Sequence, residues 1–181
     1  MYPIVRTVKE VLKARRMPAL DPLGTHVSYH RCWPQDIDYF LEMNNGRVLT
    51  MLDLGRTGLA ERAGLLRTLA KQGWGLTVAG NSIRYRKRIR PFVKFRTVSK
   101  AGGWDTRFVY LEQTIWIGDE CAVQALLRTA VTDKNGIVRP ERFMAAMGLR
   151  DVSPAFPEWV QNWIDADGTR PWPPTDDGRA A

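Results

Sequence analysis

The chain lacks any run of 18 apolar residues, so no helix is expected to span a membrane. Its first residues have neither the apolar core nor the small-residue cleavage site of a signal peptide. Cysteine is scarce. Cys32 and Cys121 stand far apart and outside CxxC spacing, which argues against a disulfide framework or a zinc site and predicts reduced thiols in a cytoplasmic setting. His26 and His30 are the only histidines, so chemistry that needs several imidazoles is excluded and no metal site is expected. GxGxxG, Walker A, HExxH and GxSxG patterns are all missing, which removes the common nucleotide, zinc-protease and serine-hydrolase readings. No internal repeat occurs. One further lack is local: between Arg84 and Lys100 there is no acidic residue, while Arg84, Arg86, Lys87, Arg88, Arg90, Lys94, Arg96 and Lys100 are basic.

What is present describes an ordinary globular chain. Its 181 residues are 44% hydrophobic and 25% charged, with 27 basic and 19 acidic side chains and a net charge of +8. Without the eight basic residues just named, the remaining charges balance, so this one segment carries the whole excess. A chain of this size buries roughly 70% of its unfolded surface and can build one full core without staples.

Residues 4–16 place Ile4, Val5, Val8, Val11 and Leu12 on one helical stripe with Arg and Lys elsewhere. Such a basic amphipathic helix either packs on the domain, the plainer reading, or touches anionic lipid. Residues 24–33 fit a strand between Pro22 and Pro34, with His26, Ser28 and His30 on one face and Val27 and Tyr29 on the other. Residues 44–65 read as one long helix ending near Gly64. Gly46, Gly55 and Gly58 each cost about 1 kcal/mol against Ala in a helix, which makes sense if something packs very close to it. Asp53 and Arg56, at i,i+3, are expected to form a plain surface pair. Four strand-like runs follow between about 75 and 132, the first ending before Pro91, the second at Ala101-Gly102-Gly103 and the third at Gly118-Asp119, at hairpin-like spacing. They predict an antiparallel meander, with 24–33 as a fifth strand, in a two-layer α+β domain. Short helices are expected at 140–147 and 157–165, and a polar, proline-rich, poorly ordered tail from Asp167.

The informative stretch is DIDYFLEMNNGR, residues 36–47, between the first strand and the long helix. Asp36, Asp38, Glu42, Asn44 and Asn45 gather at this junction. Asn44 or Asn45 can cap the helix. The first-turn N–H groups left over form a positive pole suited to a carbonyl oxygen or an oxyanion. A carboxylate beside that pole can attack a carbonyl carbon or activate water. Asp and Asn at a helix start are also ordinary caps that need no catalysis, and Asp36 is read as structural.

At these residues the chain resembles the hotdog-fold acyl-CoA thioesterases, in the 4-hydroxybenzoyl-CoA thioesterase-like branch. The resemblance extends toward the thioesterase superfamily member 6-like group. It rests on the DxD…NN pattern, on MNNGR at 43–47 followed by LxxxDxGR at 49–56, on the basic strand before Pro91, and on GWDTRFVYLE at 103–112. It covers about residues 24–135. It implies a curved antiparallel sheet wrapped around one long helix, active as a homodimer or homotetramer with sites between subunits. It also implies hydrolysis of acyl-CoA thioesters, with coenzyme A only as part of the substrate and no further cofactor. By resemblance Asp38 is the catalytic carboxylate, and the polarising backbone N–H lies at or near Asn45. Many relatives have His where this chain has Glu42; Glu42 can act as a base, but beside Asp38 it would raise one of the two carboxyl pKa values. On this reading the chain divides into an N-terminal amphipathic helix (1–20), a hotdog domain (21–135), short C-terminal helices (136–166) and a tail (167–181).

Strand alternation places Arg84, Arg86, Arg88 and Arg90 on one face of one strand. Such a ladder suits the phosphates of coenzyme A. Three functions follow: a thioesterase; a non-catalytic hotdog that binds acyl-CoA or another partner; or a nucleic-acid-binding protein. The last is the weaker reading, because a basic stripe is present but no recognised nucleic-acid motif is.

Overall fold

The computed structural model describes residues 3–173. In chain order they form α1 (Ile4–Arg15), β1 (Thr25–Arg31), a 3₁₀ turn (Pro34–Asp36), α2 (Asn45–Arg62), α3 (Leu65–Gln72), β2 (Gly75–Tyr85), β3 (Lys94–Trp104), β4 (Val109–Ile117), β5 (Glu120–Asp133), β6 (Gly136–Val138), α4 (Pro140–Ala146) and α5 (Glu158–Gly168). One antiparallel sheet in the order β1-β3-β4-β5-β2, with β6 added to β5, packs against α2. Residues 174–181, most of the expected tail, lie outside the described residues.

The long helix forms where its pattern predicts. Asn44 caps it, its Oδ1 accepting from the Gly46 N–H at 2.9 Å. Val48, Met51, Leu52 and Leu54 on its inner face are buried with Phe95, Ile115, Val123 and Leu127 of the sheet. Full burial of each such side chain stabilises by about 1.5–3 kcal/mol. Gly64, at φ 78°, ends the helix in the left-handed region, and α3 starts anew from it. The sequence reading contained no α3 and no β6.

The helix glycines have the expected reason. A methyl at Gly55 would stand 2.7 Å from Thr97 Oγ1 and 2.9 Å from Ser99 Oγ, and one at Gly58 would overlap the His26 ring. The β1 face that packs here is the polar one. His26 and Ser28 are buried, Ser28 Oγ lies 2.6 Å from Thr97 Oγ1 and 2.9 Å from His30 Nε2, and Arg62 Nη1 lies 3.1 Å from His26 Nδ1. Buried polar groups need such partners. Gln113 completes the seam, donating from Nε2 to Leu52 O (2.8 Å) and Ser99 Oγ (2.7 Å).

Four expectations are corrected. The sheet is not a simple meander: β3, β4 and β5 are consecutive neighbours, but β2 skips across to pair with β5. β3 does not stop at 101–103; it runs through both glycines to Trp104 on a bulge, with Gly103 at φ 139°. Asp167 does not begin a loose tail. It lies in α5 and pairs with Arg128 at 2.6 Å, whose guanidinium also covers the rings of Phe108 and Trp163. Finally, α1 packs along α2, but with its polar side inward. Glu10 and Ala14 are buried, and Ile4, Val5, Val8 and Leu12 face out.

Candidate functional site

The chain from β1 to α2 is a short loop folded on its own hydrogen bonds. Asp36 is 1% exposed and accepts from the Trp33 N–H at 2.9 Å and from Arg6 Nη1 at 3.1 and 2.9 Å. It anchors α1 to the loop, which is the structural role expected for it. One step on, Ile37 and Met43 bridge, and the Asp38 N–H donates to Glu42 O at 2.9 Å. This brings the two expected catalytic carboxylates to the base of one tight turn. Asp38 Oδ1 accepts from the Phe40 N–H at 2.9 Å, and Leu41 turns the chain at φ 60°. The tip, Tyr39–Leu41, is exposed, with the Tyr39 and Phe40 rings 4.1 Å apart.

The loop then enters α2 directly. Asn45 occupies the first helical position, so its N–H has no acceptor within the helix. The junction therefore sets Asp38 and Glu42 one short segment ahead of the positive end of an 18-residue helix.

The basic segment docks on this loop, but not as a strand. β2 ends at Tyr85, where the Arg86 and Lys87 N–H groups both donate to Ala122 O, and two donors on one carbonyl break the extended repeat. Arg84 is thus the only member of the expected ladder within a strand; Arg86, Arg88 and Arg90 lie beyond it, and all four are exposed. The pull on the segment is apolar: Ile89 is 3% exposed in the core, and its carbonyl accepts from the Met43 N–H at 2.8 Å. Further on, the Phe92 N–H donates to Cys32 O and the Cys32 N–H to Val93 O. This clamp brings Arg88 Nε to 3.2 Å from Glu42 Oε2. The second carboxylate beside Asp38 thereby has a cation of its own.

The sequence reading missed a second feature. A cleft of about 380 Å³ opens beside the second half of α2, walled by Ala60, Trp104, Leu111, Phe143 and Met144. Asp53 and Arg56, expected as a surface pair, line it. They do pair, at 2.8 Å, but with side chains only 27% and 16% exposed. The i,i+3 spacing signalled the pair, and only the approach of α4, which a local pattern does not show, makes it part of a cleft wall.

A curved antiparallel sheet around one long helix is the hotdog fold, and solved structures share it. A probable thioesterase from Escherichia coli superposes with a TM-score of 0.62 at 17% identity, over 67% of this chain and 98% of that one. A DHNA-CoA thioesterase from Staphylococcus aureus does so with a TM-score of 0.60 at 15% identity, over 80% and 91%. At such identities the likeness shows the fold.

Sequence similarity goes further. The model of the thioesterase-like superfamily matches residues 32–164, and the chain belongs to that family. It is 31% identical to Protein THEM6 of Xenopus laevis over 88% of this chain and 77% of that protein. With Protein THEM6 of Drosophila melanogaster it shares 29% identity over 78% and 73%.

Proposed function

We propose that the chain hydrolyses acyl-CoA thioesters, with Asp38 as the reacting carboxylate. The observation that carries this is the junction itself, where Asp38 and the Arg88-paired Glu42 precede the Asn45 N–H at the start of α2. The thioester carbonyl oxygen takes the N–H at Asn45, whose partial positive charge stabilises the oxyanion. Asp38 then either takes a proton from an attacking water or attacks the carbonyl carbon itself; the coenzyme A thiolate leaves in both routes, and in the second water hydrolyses the acyl–Asp38 anhydride to the free acid. Glu42, held by Arg88, positions water or substrate. Arg84, Arg86 and Arg90, exposed around the same segment, meet the phosphates of coenzyme A. The activity of the DHNA-CoA thioesterase with this fold supports the substrate class.

A homodimer fits the same reading. β2 is an end strand of eleven residues with most of its side chains exposed, Leu76, Val78 and Tyr85 among them. An uncovered edge of that length is suited to pairing with a second copy.

A second reading has its own observation: Asp53, not Asp38, lines the apolar cleft. An acyl group seated there would meet Asp53 as the base. Thiol release from a panel of acyl-CoA substrates separates the two. Asp38→Asn abolishes turnover under the first reading, and Asp53→Asn does so under the second. Measurable coenzyme A binding with no turnover on any substrate would leave a non-catalytic acyl-CoA binder.

A further inference from the structure

The surface around α1 has three features that the junction does not use. The first is the helix's inverted orientation. Ile4, Val5, Val8 and Leu12 are 68, 82, 52 and 48% exposed, while the inward side is held by Arg6 on Asp36 and by buried Glu10. A stripe of aliphatic side chains turned to water is the reverse of how a surface helix stabilises a domain, and calls for an apolar cover.

The second is the groove beside that stripe. It has a volume of about 480 Å³ and runs between α1 and the ends of β1 and β3. Among the described residues six cationic side chains line it, Lys9, Lys13, Arg31, Lys94 and Arg96 together with Arg6, against one carboxylate. That carboxylate, Glu10, is already paired with Lys13 at 2.9 Å. The third is a conflict within the sheet. Arg31, whose guanidinium lies over the Trp33 ring, and Lys94 are direct cross-strand partners, and like charges placed so destabilise a sheet. Tyr29, 71% exposed, and Trp33, 42% exposed, stand at the rim.

We propose that this face docks on the surface of an anionic phospholipid bilayer. α1 lies in the plane of the interface, with Ile4, Val5, Val8 and Leu12 among the upper acyl segments. Lipid phosphates enter the groove and meet Lys9, Arg31, Lys94 and Arg96, and Tyr29 and Trp33 sit at headgroup level. The pairing of the two surfaces selects this occupant. A free nucleotide or a nucleic acid would use the cations but leaves the aliphatic stripe in water, and a bilayer of anionic lipid covers both. The inference does not depend on the thioesterase reading.

The test is flotation of the whole chain with vesicles of phosphatidylcholine alone or with 30% phosphatidylglycerol, as a mixture chosen on the order of physiological anionic content. The wild type floats with the phosphatidylglycerol vesicles and not with pure phosphatidylcholine, and raising salt from about 0.1 to 0.5 M weakens binding at least severalfold. Val5→Glu with Val8→Glu lowers partitioning by about tenfold or more, and so does Arg31→Glu with Lys94→Glu. Both pairs lie at the surface, and an unchanged melting temperature shows that each variant folds. Any one of the following results overturns the proposal. One is no binding to anionic vesicles. Another is binding that the valine variant leaves intact, or that millimolar coenzyme A or inorganic phosphate fully displaces. The last is a vesicle-free dimer that the valine variant converts to monomer, which would make the stripe a contact between copies.

Discussion

Lowering the pH from 7.5 to 5 should destabilise this protein by an amount set largely by one imidazole. His30 is set against the buried seam beside Ser28 and Phe95, and burial pushes its pKa down from 6.5 to about 4. Glu10 opposes that shift, whereas Lys13, Arg6 and His26 add to it. The unfolded chain takes up a proton near pH 6.5 and the folded chain only near 4. Stability is therefore complete above 6.5 and is lost as the pH falls between those values. At pH 5 the unfolded state gains about thirtyfold over the folded one from this group, or roughly 2 kcal/mol, rising to roughly 3 kcal/mol below pH 4. His26, lowered first by burial and then by Arg62, acts in the same direction. Urea unfolding at a series of pH values measures the slope, and His30→Gln removes the titrating group while keeping a polar side chain beside Ser28. The wild type should lose about 2 kcal/mol more than the variant between pH 7.5 and 5. Equal slopes for the two proteins would refute the half-buried, neutral His30.

Three further outcomes follow from the packing. Arg6→Met leaves the Asp36 carboxylate buried without its cation and should destabilise by about 3–5 kcal/mol in urea unfolding, whereas the Arg6→Met, Asp36→Asn double variant should recover part of it. Gly58→Ala should destabilise despite the roughly 1 kcal/mol that alanine adds to helix propensity, because its methyl meets the His26 ring; His26→Ala in the same chain should reverse the sign, and an additive double variant would contradict the contact. The Cys32 thiol, fully buried and pushed up to about 11 by burial and then by Asp36, should resist a thiol reagent at pH 8 until the protein unfolds, while the partly exposed Cys121 reacts first; equal rates would contradict the burial.

The fold was legible where the signal is local. Asn44, the apolar repeat from Val48 to Leu59 and Gly64 mark the long helix almost to the residue, because caps and 3.6-residue periodicity act within a few positions. The crossing of β2 to β5 was not legible, since strand order depends on partners as far apart as Gly75 and Thr132 that turn signals do not specify. The arginine ladder failed for a related reason. Alternation assumes a continuing strand, and the burial of Ile89 bends the chain out of the sheet after Tyr85. The same bend had a use that no spacing rule announces, because it carries Arg88 to Glu42. The face of α1 was inverted since its pairing to Asp36 lies in the first loop, not in its own pattern. Asp38 and Glu42 are neighbours in sequence, and the hydrogen bond from the Asp38 N–H to Glu42 O keeps them on one turn.

The most direct test of the proposed chemistry is the thiol-release rate of Asp38→Asn on the best acyl-CoA substrate, beside a wild type of matched melting temperature. The amide keeps the shape of the side chain but can neither attack nor accept a proton. kcat should fall by about 10²-fold or more with KM little changed. Turnover equal to the wild type would contradict it and move the reacting carboxylate elsewhere, first to Asp53.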